Sequence, residues 1–178
     1  AEVHGTGPQP ANGLTMDQGA SPLPAVLTGT PDLSAGLDLS EPMGRYLRLA
    51  IDGTRLVEVD LASQVQDPEA LKAVPLDQLV AAINGAAGLD SPVASHDGRF
   101  LTLTSPTSGP EGRIELLPPA AQDATQRLLG AVPRVATGSP PRAAQLVGSR
   151  DLSAGVNLRS GSSLWLRIDG PEPGDADG

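Results

Sequence analysis

Three consecutive residues, Ser95-His96-Asp97, supply the side-chain types of a nucleophile, a general base and an acid. A catalytic trio is assembled in space, and neighbours on an extended chain point to opposite faces, so adjacency works against that chemistry. Asp97-Gly98 is accounted for by tight-turn geometry, and the expectation is a hairpin turn with a polar flank. His4 is the one other histidine and the chain has no cysteine, which leaves no imidazole or thiolate set at zinc-ligand spacing. Carboxylates gather at Asp169, Glu172, Asp175 and Asp177. Their spacing and the intervening prolines do not match a calcium loop, and a solvated acidic tail is expected. Glu58 and Asp60 share one face of a strand, whereas paired acids for glycoside chemistry must face each other across a cleft. There is no phosphate loop, and Lys72 is the only lysine. No catalytic, metal-binding or cofactor-binding residue is assigned, and no cofactor is expected.

Contact chemistry is better represented. Trp165, Tyr46 and Phe100 are the only aromatic residues, and an exposed Trp beside Arg is typical of contact surfaces. Trp165, Arg48, Arg167 and Tyr46 are therefore the candidates for partner contact. The competing role for Trp165 is packing under a local loop or against the preceding module. Arg48 and Arg167, like Arg45 and Arg55, are also explained as solvated strand or turn positions.

The elements that position these groups follow from periodicity. Tyr46 to Ile51 alternates, with Leu47, Leu49 and Ile51 on one face and Tyr46, Arg48 and Ala50 on the other. Asp52-Gly53 is hairpin-turn chemistry, and Val57, Val59 and Leu61 then alternate with Glu58 and Asp60. Upstream, Leu33, Leu37 and Leu39 suggest short strands kinked at Ala35-Gly36. Asp67-Pro68-Glu69 looks like a helix start that Pro75 interrupts. Leu76, Leu79, Val80 and Ile83 then form one helical stripe, stopped by Gly85 or Gly88, whose apolar face should lie across the hairpin. Pro92 to Ser95 and Phe100 to Thr104 read as a second hairpin with Leu101 and Leu103 inward, and Ile114 to Leu117 as a further strand. Ala120 to Leu129 reads as a second helix with Ala121, Ala124 and Leu128 on one face and Gly130 as its stop. The expected fold class is α+β: a mostly antiparallel sheet of short strands and hairpins, covered by helices at about 75–88 and 120–129.

One stretch occurs twice. Asp32-Leu33-Ser34-Ala35-Gly36-Leu37-Asp38-Leu39 returns as Asp151-Leu152-Ser153-Ala154-Gly155-Val156-Asn157-Leu158, each reached through a Leu-x-Gly at Leu27–Gly29 and Leu146–Gly148. Leu47 to Gly53 then returns as Leu164 to Gly170, which places Trp165 where Arg48 stands and Arg167 where Ala50 stands. Repeats of this kind mark arrays of like modules. The expected organisation is a linker or arm over 1–22, a first repeat module over 23–141, and over 142–178 an incomplete second module that ends in a hairpin and an acidic Pro/Gly tail. The arm's Gly5 to Pro8 faintly echoes Thr137 to Pro140 and suggests the tail of an earlier module. Two strands alone are marginally stable, so the uncovered second hairpin is expected to borrow a cover from the first module or from another chain, or to remain loose.

Composition narrows the function classes. In 178 residues there are 21 Gly and 18 Pro, and aromatics make up 2%, so any core must be built from Leu, Val, Ile and Ala. A net charge of -9 and the lack of a basic, aromatic stripe exclude nucleic acid as the expected partner. No apolar run approaches the roughly 20 residues of a membrane helix, so no membrane insertion is expected. The absence of cysteine suits either the cytosol or a secreted assembly.

Leu76-Asp77-Gln78-Leu79-Val80-Ala81-Ala82-Ile83-Asn84, followed by Val93 to Ser105 and then Gly112-Arg113-Ile114, resembles the Ile-Asn motif module of flagellar hook and filament-cap proteins. It is similar to stretches in tail proteins of phages and of phage-tail-like contractile injection systems. The resemblance covers about residues 47–115, and Asp123 to Gly130 looks like the segment that closes such repeats. The Asp-Leu-Ser-Ala-Gly lead-in lies outside the hook motif and points toward the tail-like machines. The resemblance implies a hairpin, a helix ending near Ile-Asn and paired strands, and it implies no catalytic residues. The expected function is a non-enzymatic structural module of a polymeric assembly such as a sheath, tube or fibre, acting in packing or surface display. Its partners would be copies of itself or other subunits, and its location a tail-like particle or an extracellular surface, with assembly in the cytoplasm. The alternative is an adhesin-type module that binds a cell-surface glycan or receptor through Trp165 and nearby arginines. Under the structural reading, neighbouring modules or subunits complete each other's sheets by strand addition, and deletion of 143–178 should weaken assembly without unfolding the first module.

Overall fold

The computed structural model describes residues 14–17, 19–41, 44–63, 65, 67–148 and 153. They fall into two units, one spanning Gly19–Ala143 and the other formed from the stretches before and after it. The larger unit is α+β and mostly sheet. Its centre is the expected hairpin of β3 (Tyr46–Ile51) and β4 (Arg55–Asp60), with Leu47 opposite Val59 and Leu49 opposite Val57. Asp52 and Gly53 both adopt positive φ, 50° and 67°, and the Thr54 N–H donates to Ile51 O at 3.2 Å, closing a tight turn within the three-residue loop between Ile51 and Arg55. β7 (Arg113–Leu117) lies on the other edge of β3, and β8 (Val135–Thr137) follows it, giving the order β4-β3-β7-β8. A separate sheet has the order β2-β6-β5, from β2 (Pro24–Thr28), β6 (Leu101–Ser108) and β5 (Ala94–His96). All these strand pairs are antiparallel. The single expected sheet is thus two.

Both sheets feed one core. Leu47, Leu49, Ile51, Val57, Val59, Ile114 and Leu116 come from the larger sheet and Ala25, Leu27, Ala94, Leu101 and Leu103 from the smaller. Among the described residues, every one of the largest side chains exposed by less than 2% is Leu or Ile, as the near absence of aromatics demanded. Each such side chain contributes about 1.5–3 kcal/mol by leaving water. Helix α1 (Leu76–Ala87) buries Leu76, Leu79, Ile83 and Ala87 at helical spacing, while Val80 is half-buried, and the helix packs on β4 and β5. It runs through Gly85 and stops at Gly88, whose φ of 57° lets its N–H reach Asn84 O at 3.0 Å. The expected helix start at Asp67 yields only a 3-10 turn, Ala70–Ala73, before Pro75.

Two expectations are corrected. Leu33, Leu37 and Leu39 are buried as core residues but form no strand. Asp32 and Asp38 each accept the N–H two residues ahead, at Ser34 and Ser40, and such local turns compete with extended pairing. What pairing remains is a single bridge, Leu37 with Val74. The second helix, α2, is Thr125–Leu129 rather than 120–129, and Ala121 is exposed. Gln122 takes a left-handed φ of 54° and gives its carbonyl to the N–H groups of Arg45 and Tyr46, which breaks the helix before it starts. Within the stretch read as an arm, Leu14–Asp17 forms strand β1 and Ala20 is bridged to Arg142; just beyond it, Leu23 is bridged to Ser139. These partners lie at the far end of the chain, beyond the reach of local composition.

The smaller unit's described part is a two-stranded antiparallel ribbon of β1 and β9 (Gln145–Gly148), together with Ser153. The expected second-module hairpin and the acidic tail lie outside the described residues.

Two side chains tie the larger unit together where no ladder can. β5 is an edge strand, and the Asn84 amide occupies its open side: its Oδ1 accepts the N–H groups of Val93 and Ala94 at 2.8 Å each, and its Nδ2 donates to Ala94 O at 2.9 Å. One side chain does the hydrogen bonding of a missing strand. Asp52 links the sheets: its Oδ1 accepts the Ser105 hydroxyl of β6 at 2.6 Å and the Arg113 N–H of β7 at 2.9 Å. Burial pushes the Asp52 carboxyl up, but these hydrogen bonds outweigh it and hold the group below its ordinary value.

The chain enters and leaves this unit at one place. Ala20 and Arg142 exchange both backbone hydrogen bonds at 2.8 Å, and Leu23 and Ser139 exchange theirs at 3.0 and 2.9 Å. Leu23 O also accepts the Gly109 N–H at 2.9 Å. The crossing is so close that a Cβ on Gly138 would sit 2.3 Å from Leu23 O and 2.4 Å from Gly109 O.

Candidate functional site

The candidate contact residues fall on the face of β4-β3-β7-β8 that points away from the core. Alternation in β3 sends Tyr46, Arg48 and Ala50 outward, and the register sets them in rows. Tyr46 lies opposite Asp60. Arg48 lies between Glu58 and Leu117, and Ala50 between Leu56 and Glu115, which in turn faces Val135 on β8. Leu56 is 57% exposed and Val135 37%. Neither was singled out by the sequence reading. The available signal was Leu56 itself, an apolar residue out of phase with Val57 and Val59.

The charges on this face are neutralised among themselves. Arg45 Nε and Nη2 each lie 2.6 Å from an oxygen of Asp60, a bidentate pair. The Arg45 guanidinium holds the Asp60 carboxyl below its ordinary value, aided by the Ala62 N–H, and is itself raised by that hydrogen bond. Arg45 also stands 6.0 Å from the Tyr46 ring centroid. Arg48 Nε is 3.8 Å from Glu58 Oε2, and its Nη1 reaches Pro118 O at 3.5 Å. Arg113 Nη2 meets Glu115 Oε2 at 2.9 Å. Glu58 and Asp60 are therefore each engaged by an arginine. The result is a field of closed ion pairs with Leu56, Ala50, Leu117 and Val135 between them. The structure brings Tyr46 and Arg48 onto this face; Trp165 and Arg167 lie outside the described residues.

Ser95 and His96 end strand β5, and Asp97 opens the turn that follows. Asp97 Oδ1 accepts the N–H groups of Arg99 and Phe100 at 2.9 and 2.8 Å, and these bonds lower its carboxyl, Phe100's first. His96 Nδ1 accepts the Gly98 N–H at 3.1 Å, so Nε2 carries the proton and donates to Asp77 Oδ1 at 3.0 Å. Both ring nitrogens are spent on holding the β5–β6 turn against the first turn of α1. Beside it lies a shallow cavity of about 240 Å³, lined by Ser34, Gly36, Pro75, Asp77 and Gly98. The lead-in's first residue is fixed there too: Arg99 Nη2 lies 2.6 Å from Asp32 Oδ2, and that bond is the main reason the Asp32 carboxyl lies well below its usual range.

Among the described residues no group of His, Asp or Glu side chains is arranged to hold a metal ion, and no helix is long and apolar enough to cross a membrane. No protein-family model matches the chain, and comparison with the curated proteins finds no match.

Proposed function

We propose that the chain is a non-enzymatic structural module of a polymeric assembly of the phage-tail-like or contractile-injection kind, in which the open face of β4-β3-β7-β8 packs against other subunits or other copies of the chain. The observation that carries this reading is the composition of that face. Its arginines are matched within the module, so covering it leaves few charges without a partner, which is the usual cost of burying a polar surface. The apolar Leu56 and Val135 supply the gain. The repeated lead-in and the resemblance to tail-like modules point the same way, and a net charge of -9 would keep a densely displayed surface soluble.

The test is particle formation by the whole chain. Negative-stain imaging and light scattering should show regular particles for the wild type. A Leu56→Asp, Val135→Asp double variant should keep its far-UV circular dichroism and lose them. A wild type that stays monomeric at every concentration refutes the reading. Glycan-array binding that Trp165→Ala abolishes would favour the adhesin reading instead.

A further inference from the structure

The β1–β9 ribbon repeats a pairing already present in the larger unit. In the sequence repeat, Ala144-Gln145-Leu146-Val147-Gly148 corresponds to Ala25-Val26-Leu27-Thr28-Gly29, so β9 is the second copy of β2. β2 is paired by β6, with Val26 opposite Thr104, Leu27 opposite Leu103 and Thr28 opposite Thr102. β9 is paired by β1 in the same register: Gln145 opposite Asp17, Leu146 opposite Met16, Val147 opposite Thr15. The order Leu14-Thr15-Met16 of β1 thus stands where Leu101-Thr102-Leu103 of β6 stands. A segment from before the first module supplies the strand that β9's own module would take from β6.

We infer that β1 is a donor strand, and that the β1 of one copy of this chain completes the β9 of another. Three observations support exchange between copies. The ribbon has four residue pairs, and two short strands alone are marginally stable, so it opens readily. Leu146 and Val147 are 43% and 55% exposed although neighbours on a strand face opposite ways, so neither face of β9 is sealed into a core. Closed and exchanged forms contain the same pairs, and only effective concentration separates them. The inference rests on the reading of the chain as an assembling module and names the strand through which copies join.

The chain has no cysteine, so an introduced pair reports without background. Thr15 and Val147 are direct partners, and opposed residues in antiparallel strands lie about 4.5–5.5 Å apart, within disulfide reach. A Thr15→Cys, Val147→Cys chain is refolded and oxidised across a range of protein concentrations, then run on non-reducing gels. Effective concentrations for short tethers are on the order of millimolar. Linked dimers and longer ladders should therefore grow as that range is approached and vanish at roughly a hundredth of it. A Thr15→Cys, Leu146→Cys control, one residue out of register, should link poorly. Linkage confined to single chains at every concentration overturns the inference. Because the gel is independent of particle imaging, that outcome leaves the assembly reading standing wherever wild-type particles form.

Discussion

Replacing Asn84 with Ala removes an entire side-chain ladder from the edge of β5. Three hydrogen bonds are lost, and at about 1 kcal/mol each the direct loss is about 3 kcal/mol. Val93 and Ala94 are 1% and 2% exposed, so their released N–H groups reach water poorly, which works toward a larger loss. Asn84 is itself only half-buried, so water can replace part of what is lost; the expected value is about 2–4 kcal/mol. Urea unfolding followed by far-UV circular dichroism should show a lower midpoint with an unchanged slope, and amide exchange at Ala94 should accelerate first. Asn84→Asp separates the two halves of the clamp. Its carboxylate keeps both acceptor bonds but sets a negative charge against Ala94 O, so it should fall between wild type and Ala at neutral pH and recover as acid protonates it. A loss in Asn84→Ala below about 1 kcal/mol, the worth of one ordinary hydrogen bond, refutes the idea that this amide substitutes for a strand.

The Asp52 link should make stability depend on acid. Its folded-state pKa is lowered, so its contribution is complete above the unfolded value, about 3.9, and disappears as pH falls through the folded value. Asp52→Asn tolerates the same φ and should cost about 2 kcal/mol at pH 7, the scale of a hydrogen bond to a charged group. It should also flatten the acid limb of a stability-versus-pH curve, and an unaltered limb would count against the link. Glycines offer a second comparison. Gly138→Ala drives a Cβ into two backbone carbonyls and should abolish folding of the larger unit. Gly53→Ala, with nothing within 4 Å of the new atom, should cost only about 1 kcal/mol for its positive φ, measured in the same denaturation assay.

The features legible in the sequence are those whose signal is local. The alternation of Leu47, Leu49 and Ile51, the Asp52-Gly53 turn and the Leu76–Ile83 stripe each span a few residues, and each appears where the periodicity puts it. The illegible features depend on distant partners. Nothing near Leu33 says that its N–H will reach Arg99 O, or that the N–H groups of Leu37 and Leu39 will reach Val74 and Leu71. Nothing near Gln122 says that its carbonyl will serve Arg45 and Tyr46. Asn84 was visible as part of an Ile-Asn pair, and a residue of modest helix propensity late in an amphipathic helix hints at another use, but its partners lie across a loop. On the contact face, Tyr46 and Arg48 followed from alternation, whereas Val135 joins them only through the β7–β8 pairing.

The crossing of entry and exit at Leu23 and Ser139 also sets how the larger unit bears load. Tension applied at residues 19 and 143 reaches Ala20 and Arg142 first, and these face each other across an antiparallel pair. The pull therefore peels the bonds apart one rung at a time and does not shear them together, which is the weak direction for such a ladder. The next rung, Leu23 with Ser139, is braced by Gly109, and behind it lies the Leu and Ile core. Load on the larger unit would thus lengthen it at the crossing before it reached the Leu and Ile core.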